Sequence, residues 1–142
     1  MHGVGRIGRV IALKLDVGED LLKRVIEACK EYQVRVGVVS AIGALRKVRV
    51  GIYSGEGKYK VIKREGIYEL ASCIGNVVPG ENGELIAHLH FVVSNGEEVL
   101  AGHVLDGNEV GVTAEVFILE VLDLEVIRKL DVEKKLKLWV FA

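Results

Sequence analysis

From Val34 to Phe141, apolar and polar residues alternate with a period of two, in short runs separated by glycines and turn residues. That period places successive side chains on opposite faces of extended strands and excludes a helical bundle. The runs predict strands at 34–41, 45–53, 58–63, 67–74, 84–93, 98–105, 109–122 and 134–141, after a first strand near 9–15 with Ile11, Leu13 and Leu15 on one side. One segment has a different spacing. Leu21, Leu22, Val25, Ile26 and Cys29 recur at helical intervals, with Lys23, Arg24, Glu27 and Lys30 toward water, so a helix follows the turn at 16–20 and ends near Tyr32. One helix among many antiparallel strands makes the fold class α+β, a mostly antiparallel sheet of about seven or more strands.

The 142 residues contain no linker, repeat or low-complexity tract, and read as a single domain over 1–142. Half of them are hydrophobic, which predicts a sheet covered on both faces or buried in a subunit interface. The longest apolar runs, such as 36–42, are strand-sized, whereas a membrane-spanning helix needs about 20 residues. Nineteen basic residues against twenty acidic ones argue against wholesale electrostatic binding to nucleic acid and leave room only for a local patch. The opening residues lack the apolar core of an export signal, so Cys29 and Cys73 are expected to be reduced core thiols in a cytoplasmic protein.

The chemistry concentrates on one predicted hairpin. The strands at 84–93 and 98–105 are joined through Asn95-Gly96, a dipeptide suited to the positive φ angles of a two-residue turn. That turn sets His88 directly across from His103 and His90 across from Ala101, while the strand period puts His90 on the same face as His88. Three of the four histidines then converge. Three neutral imidazoles suit zinc or another divalent metal, with a fourth position for water, a small-molecule ligand or a carboxylate. A loop of odd length would instead turn His103 to the other face. Glu115, beside Thr113 in a run whose Val112, Ala114, Val116 and Ile118 form an apolar face, is the candidate carboxylate: a fourth ligand, an acceptor for an imidazole N–H, or a catalytic proton carrier. The plainer alternative is an ion pair with a residue such as Arg46.

From Gly43 onward the chain resembles the plant-and-prokaryote PPC domain. The resemblance is carried by Gly43-Ala44-Leu45-Arg46-Lys47-Val48, Gly75-Asn76, His88-Leu89-His90, Ala101-Gly102-His103 and Thr113-Ala114-Glu115. It implies an α+β fold, a homotrimer and a metal unit formed by His88, His90 and His103. The architecture is also similar to that of acetolactate decarboxylase, a three-histidine zinc enzyme. In plants the domain follows AT-hook DNA-binding motifs, so prokaryotic members are called candidate DNA-binding proteins. This chain has no Arg-Gly-Arg-Pro core; Arg6-Ile7-Gly8-Arg9 is a near miss.

Other signals fail on context. Gly3-Val4-Gly5-Arg6-Ile7-Gly8 spells a dinucleotide fingerprint but has no strand before it and no helix after it. Residues 46–64 hold seven bases and one acid, Glu56. Among them Arg46, Lys47, Arg49, Lys58 and Lys60 form a candidate anion or nucleic-acid patch on a hairpin, with Val48, Val50 and Val61 expected inward; a solvated sheet edge is the simpler expectation. Three functions follow. One is a metal-binding, homotrimeric, DNA-associated interaction module, the second a three-histidine metalloenzyme acting on a small carbonyl or carboxylate substrate, and the third a metal that only stabilises the fold or trimer.

Overall fold

The computed structural model describes residues 1–142. In chain order the elements are β1 (Arg6–Leu15), α1 (Leu21–Glu31), β2 (Gly37–Gly55), β3 (Lys58–Pro79), β4 (Leu85–Ser94), β5 (Val99–Val104), β6 (Glu109–Leu122), β7 (Val126–Asp131) and β8 (Leu136–Phe141). Six strands form an antiparallel sheet in the order β1-β6-β2-β3-β4-β5, and β7 and β8 form a separate hairpin. β5 also pairs with β2, through Val50–Val104 and Gly51–His103, which curls the sheet toward a barrel at that end. No helix is long and apolar enough to cross a membrane.

The helix starts where Asp20 accepts a hydrogen bond from the Lys23 backbone N–H at 3.0 Å, satisfying one of the free amides of the first turn. Its buried face, Leu21, Val25, Ala28 and Cys29, joins the inner face of the sheet in one core. Cross-strand pairing lines up that inner face: Leu13, Val116, Ala41, Cys73, Phe91 and Gly102 form one row across six strands. The adjacent row, Ala12, Phe117, Ser40, Ile74, His90 and His103, falls on the outer face. Both cysteines are free and buried, and burial pushes their thiols up, Cys29 to about 11 and Cys73 to about 12. They are inert core residues, as expected.

The predicted strands 34–41 and 45–53 merge into β2, and 58–63 and 67–74 merge into β3. What looked like breaks are irregularities within continuous strands, between Ala41 and Gly43 and between Leu45 and Lys47. Gly43 packs so closely on β6 that a Cβ there would sit 2.2 Å from the Thr113 carbonyl oxygen. Opposite this point residues 111–113 bulge out of β6, because Gly43 pairs with Ala114 while Leu45 pairs with Val110. The bulge explains a misplaced residue. Val112 was expected on the apolar face with Ala114, Val116 and Ile118; those three are buried but Val112 is 60% exposed. Strand β7 was not anticipated, since Arg128-Lys129 interrupts its short apolar alternation.

One ion pair ties the open edge of the sheet together. Glu120 accepts from Arg9 Nε at 3.0 Å, Arg9 Nη2 at 2.7 Å and the Arg9 backbone N–H at 3.1 Å. These bonds hold the Glu120 carboxyl at about 2, well below its ordinary 4.5. A carboxyl lowered on folding adds stability above its unfolded value and loses it as pH falls toward its folded value. The urea midpoint is therefore expected to fall between about pH 4.5 and 2 in the parent chain, and Glu120→Gln is expected to flatten that part of the profile.

Candidate metal centre

β4 carries the inner-face residues Leu89, Phe91 and Val93, all buried, so the strand period turns His88 and His90 outward. β5 returns alongside with His103 on the same outer face. The pairing differs from expectation by two residues: His90, not His88, lies directly across from His103, and Val92, not His90, faces Ala101. The loop is Asn95 to Glu98, closed by the Ser94–Val99 pair. Asn95 accepts from the Glu97 and Glu98 backbone N–H groups at 2.9 Å each, and of the two turn residues only Gly96 has positive φ. The side chain of Asn95 thus caps a four-residue loop instead of occupying a two-residue turn. Because the displacement is even, all three imidazoles stay on one face.

Ring centroids lie 5.0 Å apart for His88–His90, 5.1 Å for His88–His103 and 5.6 Å for His90–His103. One ring nitrogen from each falls within 4.8 Å of the others, and the Nε2 atoms of His88 and His90 are 3.1 Å apart. Three nitrogens around a tetrahedral zinc stand about 3.3 Å apart, so modest rotamer changes would seat an ion. Nδ1 of His103 is buried without a hydrogen-bond partner, a vacancy of the kind an ion site explains. The donor set therefore fits a divalent metal.

Two residues hold His88 from behind. Asn76 on β3 is its cross-strand partner, and Arg128 on β7 bridges them: its Nη2 donates to Asn76 Oδ1 at 2.9 Å and lies 3.1 Å from His88 Nδ1. A guanidinium has only donors, so His88 Nδ1 accepts and its hydrogen sits on Nε2, aimed at His90; a metal taken on Nε2 would shift that hydrogen to Nδ1 and release Arg128 Nη2 from His88. Burial, reinforced by the Arg128 charge and the other two imidazoles, pulls His88 down to about 4. Burial, then His90 and Arg128, also lowers His103. Both rings are thereby kept in the neutral form that a metal requires. Beneath His88, β3 approaches β4 so tightly that a Cβ on Gly75 would lie 2.0 Å from the His88 carbonyl oxygen.

A cavity of about 220 Å³ opens beside the cluster. His88, His103 and Tyr59 form one side, and Arg128, Leu136 and Lys137 of the β7–β8 hairpin form the other. Tyr59 packs its ring 5.0 Å from that of His103. Sequence reasoning missed Arg128, Tyr59 and Lys137, and took Asn76 only as part of the family resemblance. The available signal was Arg128 itself, a charged residue between Val126 and Leu130 in an apolar run.

Glu115 does not join the histidines within the chain. It is exposed on β6, between Lys14 and Ile42, with β2 and β3 separating it from β4. Nor does it pair with Arg46, which lies 3.7 Å from Glu109. The candidate basic patch is also divided. Arg49 pairs with Lys63 and Lys47 with Glu65 on one face, while Lys60 pairs with Ile52 on the face of Val48 and Val50, and Lys58 shares the Lys60 side. Val48 and Val50 are buried as expected, but Val61 is 41% exposed. Lys47 is 3.2 Å from Glu109, and Arg64 donates to Glu98 at 2.7 Å, so part of the charge is already neutralised.

A curled antiparallel sheet, with one helix on its inner face and three imidazoles converging on its outer face, defines a class of small α+β domains with a hairpin-borne histidine cluster. Residues 2–122 match the Plants and Prokaryotes Conserved (PCC) domain, and the chain belongs to that family. It is similar to a plant- and prokaryote-conserved (PPC) protein from Pyrococcus horikoshii, with 33% identity over 100% of this chain and 98% of the other, TM-score 0.90. It is also similar to a metal-containing protein from Archaeoglobus fulgidus, with 28% identity over 96% of each chain, TM-score 0.88. A candidate DNA-binding protein from Bacteroides thetaiotaomicron shares the fold at 20% identity over 98% and 99% of the two chains, TM-score 0.82. No curated protein matches the chain.

Proposed function

We propose that this chain is a homotrimeric zinc protein, folded as one domain, whose metal serves a small ligand in the adjoining cavity. The observation that carries the reading is the convergence of His88, His90 and His103, with ring nitrogens within 4.8 Å of one another, at the edge of an open cavity. The naming of the Archaeoglobus relative as metal-containing supports it. Bound zinc with a free position would supply Lewis-acid polarisation of a carbonyl or an ionised water. The chain's own residues prepare that position. Burial keeps His88 and His103 neutral, Tyr59 packs against His103, and the β7–β8 hairpin walls one side of the cavity. Elemental analysis of protein stripped and reloaded with zinc is expected to show one ion per chain. No bound metal after reloading would overturn the reading.

The trimer is supported by the outer face. Val38, Ile42, Ile74, Val92 and Phe117 are each more than a third exposed there, next to His90. A contiguous apolar sheet face of this kind marks a site of association. Phe117→Glu places a charge in its centre and is expected to give monomers by light scattering. A trimer of unchanged stability would place the interface elsewhere.

A DNA-associated module is the second reading. It is favoured by the groove at Lys47, Arg49, Lys63 and Arg64 and by the names of structural neighbours such as the Bacteroides protein. It predicts binding that weakens with salt and with Arg49 and Lys63 replaced by glutamine.

A further inference from the structure

Arg128 is one of three buried polar or charged residues in the chain, at 7% exposure, and it takes part in none of its ion pairs. Its three hydrogen-bond partners, Asn76 Oδ1, His88 Nδ1 and the Lys137 carbonyl oxygen, are all neutral. Its Nε is buried without any partner. A buried charge is costly unless a counter-charge offsets it, and this chain provides none. The cavity that Arg128 lines contains no aspartate or glutamate and adds Lys137, whose amine is only loosely engaged by Glu84 at 3.3 Å. Three neutral imidazoles holding a divalent cation would raise the positive charge further without balancing it.

The geometry points to a small aliphatic carboxylate as the occupant of this cavity, its head group held by Arg128 and Lys137 beside the histidine cluster. Arg128 spends three of its five N–H groups on Asn76, His88 and Lys137 and its Nε is buried, so Nη1 offers one further N–H beside the Lys137 amine; a carboxylate held by both makes charge-assisted hydrogen bonds, the strongest available to a ligand. Away from Tyr59 and the two histidines the walls are apolar. Ile86, Ala87, Leu136 and Leu138 line the same space. They suit a short hydrocarbon chain and offer nothing to the outer oxygens of inorganic phosphate. A cavity of about 220 Å³ limits the ligand to a small acid. The inference rests on the metal reading for the second anchor of the ligand; its first anchor, Arg128, is independent of metal.

The test is calorimetric titration of the full chain, zinc-loaded and zinc-free, with butyrate, and with butyramide and inorganic phosphate as controls. Butyrate is expected to bind the loaded chain at least about tenfold more tightly than either control. Arg128→Met is expected to weaken butyrate by at least about tenfold, and Lys137→Met by a smaller factor, with one zinc per chain retained in the Lys137 variant. Lys137 is on the surface, so its variant remains informative if loss of Arg128 impairs folding. Equal binding of butyrate and butyramide, tighter binding of phosphate, or butyrate binding unaffected by either substitution would each overturn the proposal. A chain that takes no zinc yet binds butyrate in an Arg128-dependent way would refute the metal reading and support the carboxylate site.

Discussion

Replacing His103 with alanine is expected to lower zinc affinity by at least about 100-fold, since even residues that only support a metal ligand contribute 10–100-fold. The imidazole is partly buried and is one of the three proposed nitrogen donors. Its loss leaves two histidines on β4, a pair too weak to compete with chelators for zinc. The fold should survive, because His103 lies outside the core that β5 shares with β2 through Val104 and Val50. Competition with a chromophoric chelator, run beside circular dichroism, checks both halves. A variant that keeps the parental affinity would show that His103 is not a ligand.

Phe91→Ala is expected to cost about 3–5 kcal/mol of stability, the range for deleting a large buried aromatic. Phe91 is 2% exposed and sits between Cys73 and Gly102 on the inner face, one residue from His90. His90→Ala, by contrast, removes an exposed side chain and is expected to change the stability of the zinc-free chain by less than about 1 kcal/mol. Urea unfolding of zinc-free protein compares them. Similar losses for the two would mean that the outer face is already packed in the free chain, contrary to the strand's two-sided character. The contrast follows from the period of an extended chain, which assigns neighbouring residues to packing and to chemistry.

The same period explains how much could be read without coordinates. The helix at Leu21–Glu31, the strand at Glu109–Leu122 and the shared face of His88, His90 and His103 follow from local spacing alone. Register did not, because Asn95 caps a longer loop through its side chain, and that choice depends on side-chain geometry that a dipeptide does not reveal. Continuity of β2 was hidden because Gly43 reads as a break, whereas its role is close packing against β6. Glu115 was misplaced for a topological reason: β6 inserts between β1 and β2, far across the sheet from β4. The charge of Arg128 inside an apolar run was legible but its role was not, because it reaches the cluster from a second sheet, a long-range contact that no local pattern encodes.

The second sheet lies beyond residue 122, where the match to the family ends. The imidazoles and the wall facing them thus come from separately encoded parts of the chain. Substitutions in the last twenty residues are expected to change the cavity wall while the strands that carry the histidines stay as they are. A protein cut at the family boundary would lose Arg128, and with it part of what lowers His88.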